Sequence, residues 1–267
     1  MGVQLIKGID VGEIPPTPAH PVFDSADVTP FAYRQILKYG QLYGFPISYI
    51  QEQQGLLVQN LLPVHKTESQ QISTSSRVEL ELHTETAFHP FKPTSLLLLC
   101  VRGDNNAVTT YAELGDFFGL LSEEAIEVLQ QPLFRTSLDD SFRTEGQPDF
   151  EMTTSVLRRD EYREKNGAPL DQVWQMTYDA NLMRGITTEA QDALDELAND
   201  IQSCIKEITL ETGDLLVINN LNTVHGRRPF QARYDGTDRW VQRLLVINPL
   251  PPSSHRDGWI ITTKFGQ

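Results

Sequence analysis

Two stretches of the chain pair a histidine with a carboxylate two places on, His83-Thr84-Glu85 and His255-Arg256-Asp257. With 6 histidines and 36 acids in 267 residues, such a match is weak taken alone, so its surroundings must choose. His255 follows Pro251-Pro252-Ser253-Ser254, a loop signal, with no histidine downstream, and reads as a surface turn. His83 follows an alternation of Val78, Leu80 and Leu82 with Glu79 and Glu81, the pattern of a half-buried strand. Residues i and i+2 of a strand point to one side, so His83 and Glu85 can reach one metal ion. His225 supplies a third ligand. It is placed just beyond a strand, Leu215 to Ile218, on the polar loop that opens with Asn219-Asn220. Two histidines and one carboxylate on one face of a metal leave three positions open, which suits iron(II), a cosubstrate and dioxygen.

Arg239 precedes the apolar strand Trp240 to Ile247, and Arg243 lies within it. Four residues apart, they point the same way. Two inward guanidinium groups are costly unless they meet anions, so the pair reads as two carboxylate binders.

The elements that must position these groups are mostly short strands: Phe45–Ile50, Val78–Leu82, Thr94–Arg102, Val108–Tyr111, Glu207–Leu210, Leu215–Ile218 and Trp240–Ile247. Helices flank them. Thr29-Pro30 starts one, Ser122 caps another that Pro132 stops, and Gly55–Leu62 reads as a third. Thr188 to Ile205 is the clearest, with Thr188 and Gln191 as a capping box and an apolar stripe from Ala190 through Leu197 to Ile205. Residues 1–30 read as an extended, proline-bearing lead-in. Residues 136–171 are polar and irregular, with both charge signs, as in a lid or insert. The pattern predicts one mainly β domain with flanking helices over residues 1–267.

Composition narrows the partners. A net charge of −14 repels phosphate backbones and anionic surfaces, so nucleic acid and membranes are excluded as partners. Only Cys100 and Cys204 are present, so no disulfide framework exists, and Cys100 ends an apolar run as a core residue. No apolar stretch reaches membrane-spanning length, and the first residues lack the pattern of a secretory leader. The expected location is the cytoplasm.

Two stretches carry a resemblance: His83-Thr84-Glu85-Thr86-Ala87-Phe88-His89-Pro90 running on to Arg102-Gly103-Asp104, and Gly213-Asp214-Leu215 running on to His225-Gly226-Arg227 and then Arg239. Together they resemble the clavaminate synthase-like iron(II)/2-oxoglutarate oxygenases, a group that includes the arginine and asparagine hydroxylases. The resemblance implies a double-stranded β-helix (jelly-roll) core. It implies iron held by His83, Glu85 and His225, with 2-oxoglutarate and dioxygen as cosubstrates. Arg239 then holds the distal carboxylate of 2-oxoglutarate, helped by Thr109, with Thr110 in reserve. Arg243 takes the substrate α-carboxylate. The segment Met176 to Met183 meets the substrate side chain through Asp179 and Asn181, where arginine hydroxylases carry two acids. Gln51, Gln53 or Gln54, together with Ser73, Ser75 or Ser76, is expected to contact the α-amine.

The implied activity is hydroxylation of a free L-amino acid at C3 or C4, coupled to decarboxylation of 2-oxoglutarate to succinate. A basic amino acid (arginine, lysine or a cyclic guanidine derivative) fits Asp179. Asparagine or glutamine is the alternative, as is desaturation or ring closure on the same ligands. A carboxylate ligand at Glu85 argues against halogenation, which needs that position vacant. A zinc hydrolase lacks a His-Glu-x-x-His motif in this sequence, and a non-catalytic jelly-roll module leaves Arg239 and Arg243 without purpose.

Overall fold

The computed structural model describes residues 2–143, 150–167, 173–263 and 265. The strands run in chain order as β1 (Val3–Ile6), β2 (Phe45–Tyr49), β3 (Val58–Leu61), β4 (Leu80–His83), β5 (Ser95–Arg102), β6 (Val108–Glu113), β7 (Phe134–Ser137), β8 (Glu151–Thr154), β9 (Leu157–Arg159), β10 (Trp174–Met176), β11 (Met183–Gly185), β12 (Lys206–Thr209), β13 (Leu215–Asn219), β14 (Thr223–Arg227), β15 (Trp240–Ile247), β16 (Arg256–Asp257) and β17 (Ile260–Ile261). The large sheet has the order β1-β13-β5-β15-β2-β17-β16, with β3 also paired to β15. The small sheet has the order β12-β6-β14-β4. β7, β8 and β11 form a separate three-stranded sheet, and β9 pairs with β10.

The central strands of the large sheet are buried on both faces, which is why they read as unbroken apolar runs. Leu97, Leu99 and Val101 of β5 pack with Leu244 and Val246 of β15 beneath the helix Pro30–Gly40. Leu96, Leu98 and Cys100 turn the other way, with Val241 and Leu245. The small sheet has its own backing. Leu82, Ala112 and Val224 pack against the helices Glu123–Leu129 and Thr188–Ser203. Strand alternation then aims the neighbours His83 and His225 at the opposite face. Arg243 on β15 bonds to Glu85 just past β4, so that face looks onto the large sheet. The site lies between the two sheets.

Several expectations change. Gly55–Leu62 is not a helix: Val58–Leu61 is a fully buried strand paired with β15, and that pairing overrides local propensity. The lead-in is not wholly extended, since Ser25–Val28 is helical and β1 pairs with β13. The long helix begins at Thr188 as predicted and ends at Ser203, but its cap is Thr187, whose hydroxyl accepts from the Ala190 N–H, and Gln191 receives Gly185 N–H instead of closing a capping box with Thr188. Thr29 makes no cap bond, because its hydroxyl accepts from Gln242 on β15. Residues 136–171 carry β8, β9 and a short helix, Glu161–Lys165, so much of the segment is regular. The parts at 144–149 and 168–171 lie outside the described residues. Among the described residues, no helix is long and apolar enough to cross a membrane.

Gly226 fixes how closely β14 approaches β4. A Cβ there would sit 2.5 Å from the Leu80 carbonyl oxygen and 3.0 Å from Thr110 Oγ1. Gly226→Ala must push the strand carrying His225 away from the one carrying His83. We expect a loss of about 1–3 kcal/mol in denaturant unfolding. Gly119→Ala, with open space around its Cβ, should stay within about 0.5 kcal/mol of the parent.

Candidate active site

His83 and His225 face each other across the β4–β14 ladder, where they are register partners with ring centroids 4.4 Å apart. One ligand atom from each of His83, Glu85 and His225 lies within 4.8 Å of the others. β4 ends at His83, so Glu85 lies in the following turn and not on the strand. Asn220 holds it there. Its Oδ1 accepts from Glu85 N–H at 2.6 Å, and its Nδ2 donates to the Glu85 and Pro93 carbonyls. His225 is not on a loop but inside β14, paired on both sides. The polar loop closes earlier, within residues 219–222.

The donor set suits a divalent transition metal. His83 Nδ1–H donates to the Glu81 carbonyl at 2.8 Å, which turns the Nε2 lone pair inward, as a metal-bound histidine requires. Burial, reinforced by His83, pushes the His225 imidazole down and keeps it neutral. His225 Nε2 lies 3.6 Å from Glu85 Oε2. Burial alone would raise the Glu85 carboxyl, but Arg243 and the two imidazoles hold it well below the usual carboxylate range. Two imidazole nitrogens and one anionic oxygen converge on the cavity. This fits iron(II) with room for further ligands.

Arg243 is more tightly held than a free carboxylate binder would be. Nη1 donates to Glu85 Oε1 at 2.9 Å and Nη2 to Glu52 Oε1 at 2.8 Å. Nε donates to Gln59 Oε1 at 2.9 Å, and Nη2 shares that oxygen. A guanidinium has five N–H groups, so these contacts leave one for a ligand. Burial disfavours its charge, yet Glu52 and Glu85 together hold it firmly protonated. Burial pushes the Glu52 carboxyl up, against the pull of Arg243.

Arg239 is different. It is buried, lines the same cavity as the triad, and has no hydrogen bond or ion pair with any described residue. Burial pushes its guanidinium down from the ordinary value. Thr109 and Thr110 separate by strand parity. Thr110 shares the parity of Ala112, which packs on the helices, and its buried hydroxyl has no partner. Thr109 lines the cavity with Arg239. Asp179 and Asn181 also reach the cavity. Asp179 forms a bridge to His83, and its Oδ1 accepts from the Asn181 and Leu182 N–H groups at 2.9 and 2.8 Å.

Three groups at the site were not singled out from sequence. Glu52 and Asp139 line the cavity, and Arg227 clamps the loop above it, donating to Ser75 Oγ at 2.9 Å and to the Val78 carbonyl. The glutamines beside Glu52 are engaged elsewhere: Gln51 donates to Thr263 O, and Gln53 braces the Asn60 backbone. Of the three serines, Ser73 alone lines the cavity. Glu52 escapes sequence reading because its polar neighbours look like a solvated turn until β3 is placed against β15.

Removing Arg243 would leave two buried carboxylates without a counter-charge. Arg243→Met should therefore destabilise the metal-free protein by about 3–5 kcal/mol in denaturant unfolding. Adding Glu52→Gln should recover part of that loss, and failure to do so would mean the two side chains act independently.

The sequence model of the taurine catabolism dioxygenase TauD, TfdA family matches residues 18–245. The chain is 33% identical to the L-lysine 3-hydroxylase of Catenulispora acidiphila, over 99% of this chain and 73% of that protein. It is similar in structure to an asparagine oxygenase solved with Fe(II), 2S,3S-3-hydroxyasparagine and succinate. There the TM-score is 0.86 and the identity 30%, covering 98% of this chain and 80% of that one. The non-heme iron oxygenase OrfP, solved with Fe, succinate and (3S)-hydroxy-L-Arg, matches with a TM-score of 0.85 and 29% identity, covering 98% of this chain and 82% of that one. A family match of this extent, on a fold that assembles two histidines and a glutamate into one donor set, means that the chain belongs to the taurine catabolism dioxygenase TauD, TfdA family.

Proposed function

We propose that this protein is an iron(II)- and 2-oxoglutarate-dependent oxygenase that hydroxylates a free basic L-amino acid at C3 or C4, as one domain with a jelly-roll core. The observation that carries the reading is a facial donor set beside a buried guanidinium, Arg239, that makes no hydrogen bond or ion pair with any described residue. Iron(II), held by His83, Glu85 and His225, supplies oxygen activation when bound. The other groups bind and orient. Arg239 offers a planar fork to the distal carboxylate of 2-oxoglutarate, with the Thr109 hydroxyl beside it. The Cβ-side alternation of β6 keeps Thr110 out of this role.

A basic substrate is favoured by the acids at the cavity. Asp179 and Asp139 come from separate segments, and both line it. Asp179 Oδ1 accepts from the Asn181 and Leu182 N–H groups and Asp139 Oδ1 from the Ser141 N–H, and the second oxygen of each has no hydrogen-bond partner among the described residues. Burial raises the Asp179 carboxyl, and the charge of Asp139 adds to the rise, so the two acids act on one space. An ammonium or guanidinium between them relieves that repulsion. Asp139 belongs to the 136–171 segment, which we read as the cover of the site. A second reading, an asparagine or glutamine substrate, is favoured by the amide of Asn181 at the same cavity. The acidic charge and the absence of a membrane-spanning helix among the described residues fit a cytoplasmic enzyme without nucleic-acid partners.

The test is succinate formation from 2-oxoglutarate with iron(II) under air, across the free amino acids plus ornithine, homoarginine and citrulline. L-lysine, L-arginine or a close analogue should stimulate it, with a product heavier by one oxygen. Stimulation by asparagine alone would favour the second reading, and no turnover by any would contradict both. Arg239→Ala should raise the 2-oxoglutarate requirement by about one to two orders of magnitude, the loss of a charge-assisted pair of about 1.5–3 kcal/mol. An unchanged requirement would remove Arg239 from that role.

A further inference from the structure

We infer that a second groove, beside the turn that carries Glu85, binds a small organic phosphate. The groove has a volume of about 460 Å³ and shares no lining residue with the cavity of the triad. That size suits a small organic ligand. The turn before β5, the β8–β9 segment, the end of β10 and the chain after β15 meet there. Lys92 and Arg158 both line it, and no acid does. In a chain with 36 acids and 22 lysines and arginines, that is a local reversal of charge. Lys92 Nζ donates to the Ala87 carbonyl at 3.4 Å, and Arg158 Nη2 to Gln175 Oε1. Gln175 in turn donates to Asp160, which pairs with Arg163. Neither Lys92 nor Arg158 has an ion pair with a described residue.

Burial pushes the Lys92 ammonium down to about 8, and the charge of Arg158 adds to the fall. Two cations that repel across a partly desolvated groove are relieved by an anion between them. The donors say which anion. Lys92 offers an ammonium and Arg158 a planar fork. The hydroxyls of Ser155 and Thr177 line the same groove and bond to no described residue. Donors from four residues exceed the two oxygens of a carboxylate and suit the three acceptor oxygens of a phosphate monoester. Phe91 and Leu250 add an apolar wall, which suits a carbon body on the phosphate. The groove also adjoins the donor set. Asn220 lines it while holding the Glu85 backbone, and Lys92 ties the Ala87 carbonyl of the same turn.

The experiment is calorimetry on the anaerobic protein with iron(II) and excess 2-oxoglutarate, which keeps Arg239 engaged. The probes are phenyl phosphate, benzoate and inorganic sulfate. Phenyl phosphate should bind at a single site with a millimolar or tighter constant. Benzoate keeps the ring but has two oxygens, and sulfate has no ring, so each should bind about tenfold more weakly. Lys92→Met should weaken phenyl phosphate by about tenfold, the loss of one charge-assisted hydrogen bond. Arg158→Gln, at an exposed position that does not threaten folding, should do the same. Arg34→Gln, on the helix Pro30–Gly40, should leave binding unchanged. Sulfate binding as tightly as phenyl phosphate would mean an adventitious anion contact only. Benzoate binding as tightly would assign the groove to carboxylates. No binding of phenyl phosphate, or binding unchanged in both groove variants, would leave the groove without this role. Each of these results overturns the inference, and none of them bears on turnover of an amino acid.

Discussion

The guanidinium of Arg243 holds the site together. It projects from the centre of the large sheet and bonds to Glu85, which follows the edge strand of the small sheet. Glu52 completes the cluster from the loop before β3. Taking one cation and two anions out of water is costly, and the cost is recovered only when the geometry is tight and further hydrogen bonds support the charged groups. Four hydrogen bonds to three side chains meet that condition. The pair therefore fixes the spacing of the sheets, holds the metal-facing carboxylate ionised and turns it toward the two histidines.

Everything nearby serves that arrangement. The helices behind the small sheet take Leu82, Ala112 and Val224, and strand alternation sends His83, Thr109 and His225 the other way. Gly226 lets β14 lie against β4 closely enough for the two rings to meet. Thr84 ties the turn carrying Glu85 to the Tyr178 backbone, so Asp179 is held in register with the ligands. A rigid donor set is obtained from two sheet faces and a few side-chain bonds, without a disulfide: Cys100 and Cys204 are both free.

Much of this was legible in the sequence. The alternation before His83 and the apolar runs at Ser95–Arg102 and Trp240–Ile247 mark their strands directly, because period and burial coincide there. The candidate donor set of His83, Glu85 and His225 follows from residue type and spacing. What escaped was set by long-range pairing. Val58–Leu61 looks helical until β15 claims it, and only that pairing brings Gln59 to Arg243 and Glu52 to the cavity. His225 was assigned to a loop because the Asn-rich turn before it conceals the start of β14. Arg243 reads as a carboxylate binder, and a sequence does not show that two glutamates from distant segments also share it. Asp139 was visible only as one acid among many in a polar segment.

The proposed reaction inserts oxygen from dioxygen into a free amino acid at the expense of 2-oxoglutarate. The most direct measurement is turnover under dioxygen carrying heavy oxygen, with mass analysis of both products. The account predicts one heavy atom in the hydroxylated amino acid and one in succinate, in equal yield. An amino acid recovered unchanged, or altered with no succinate formed, would contradict it.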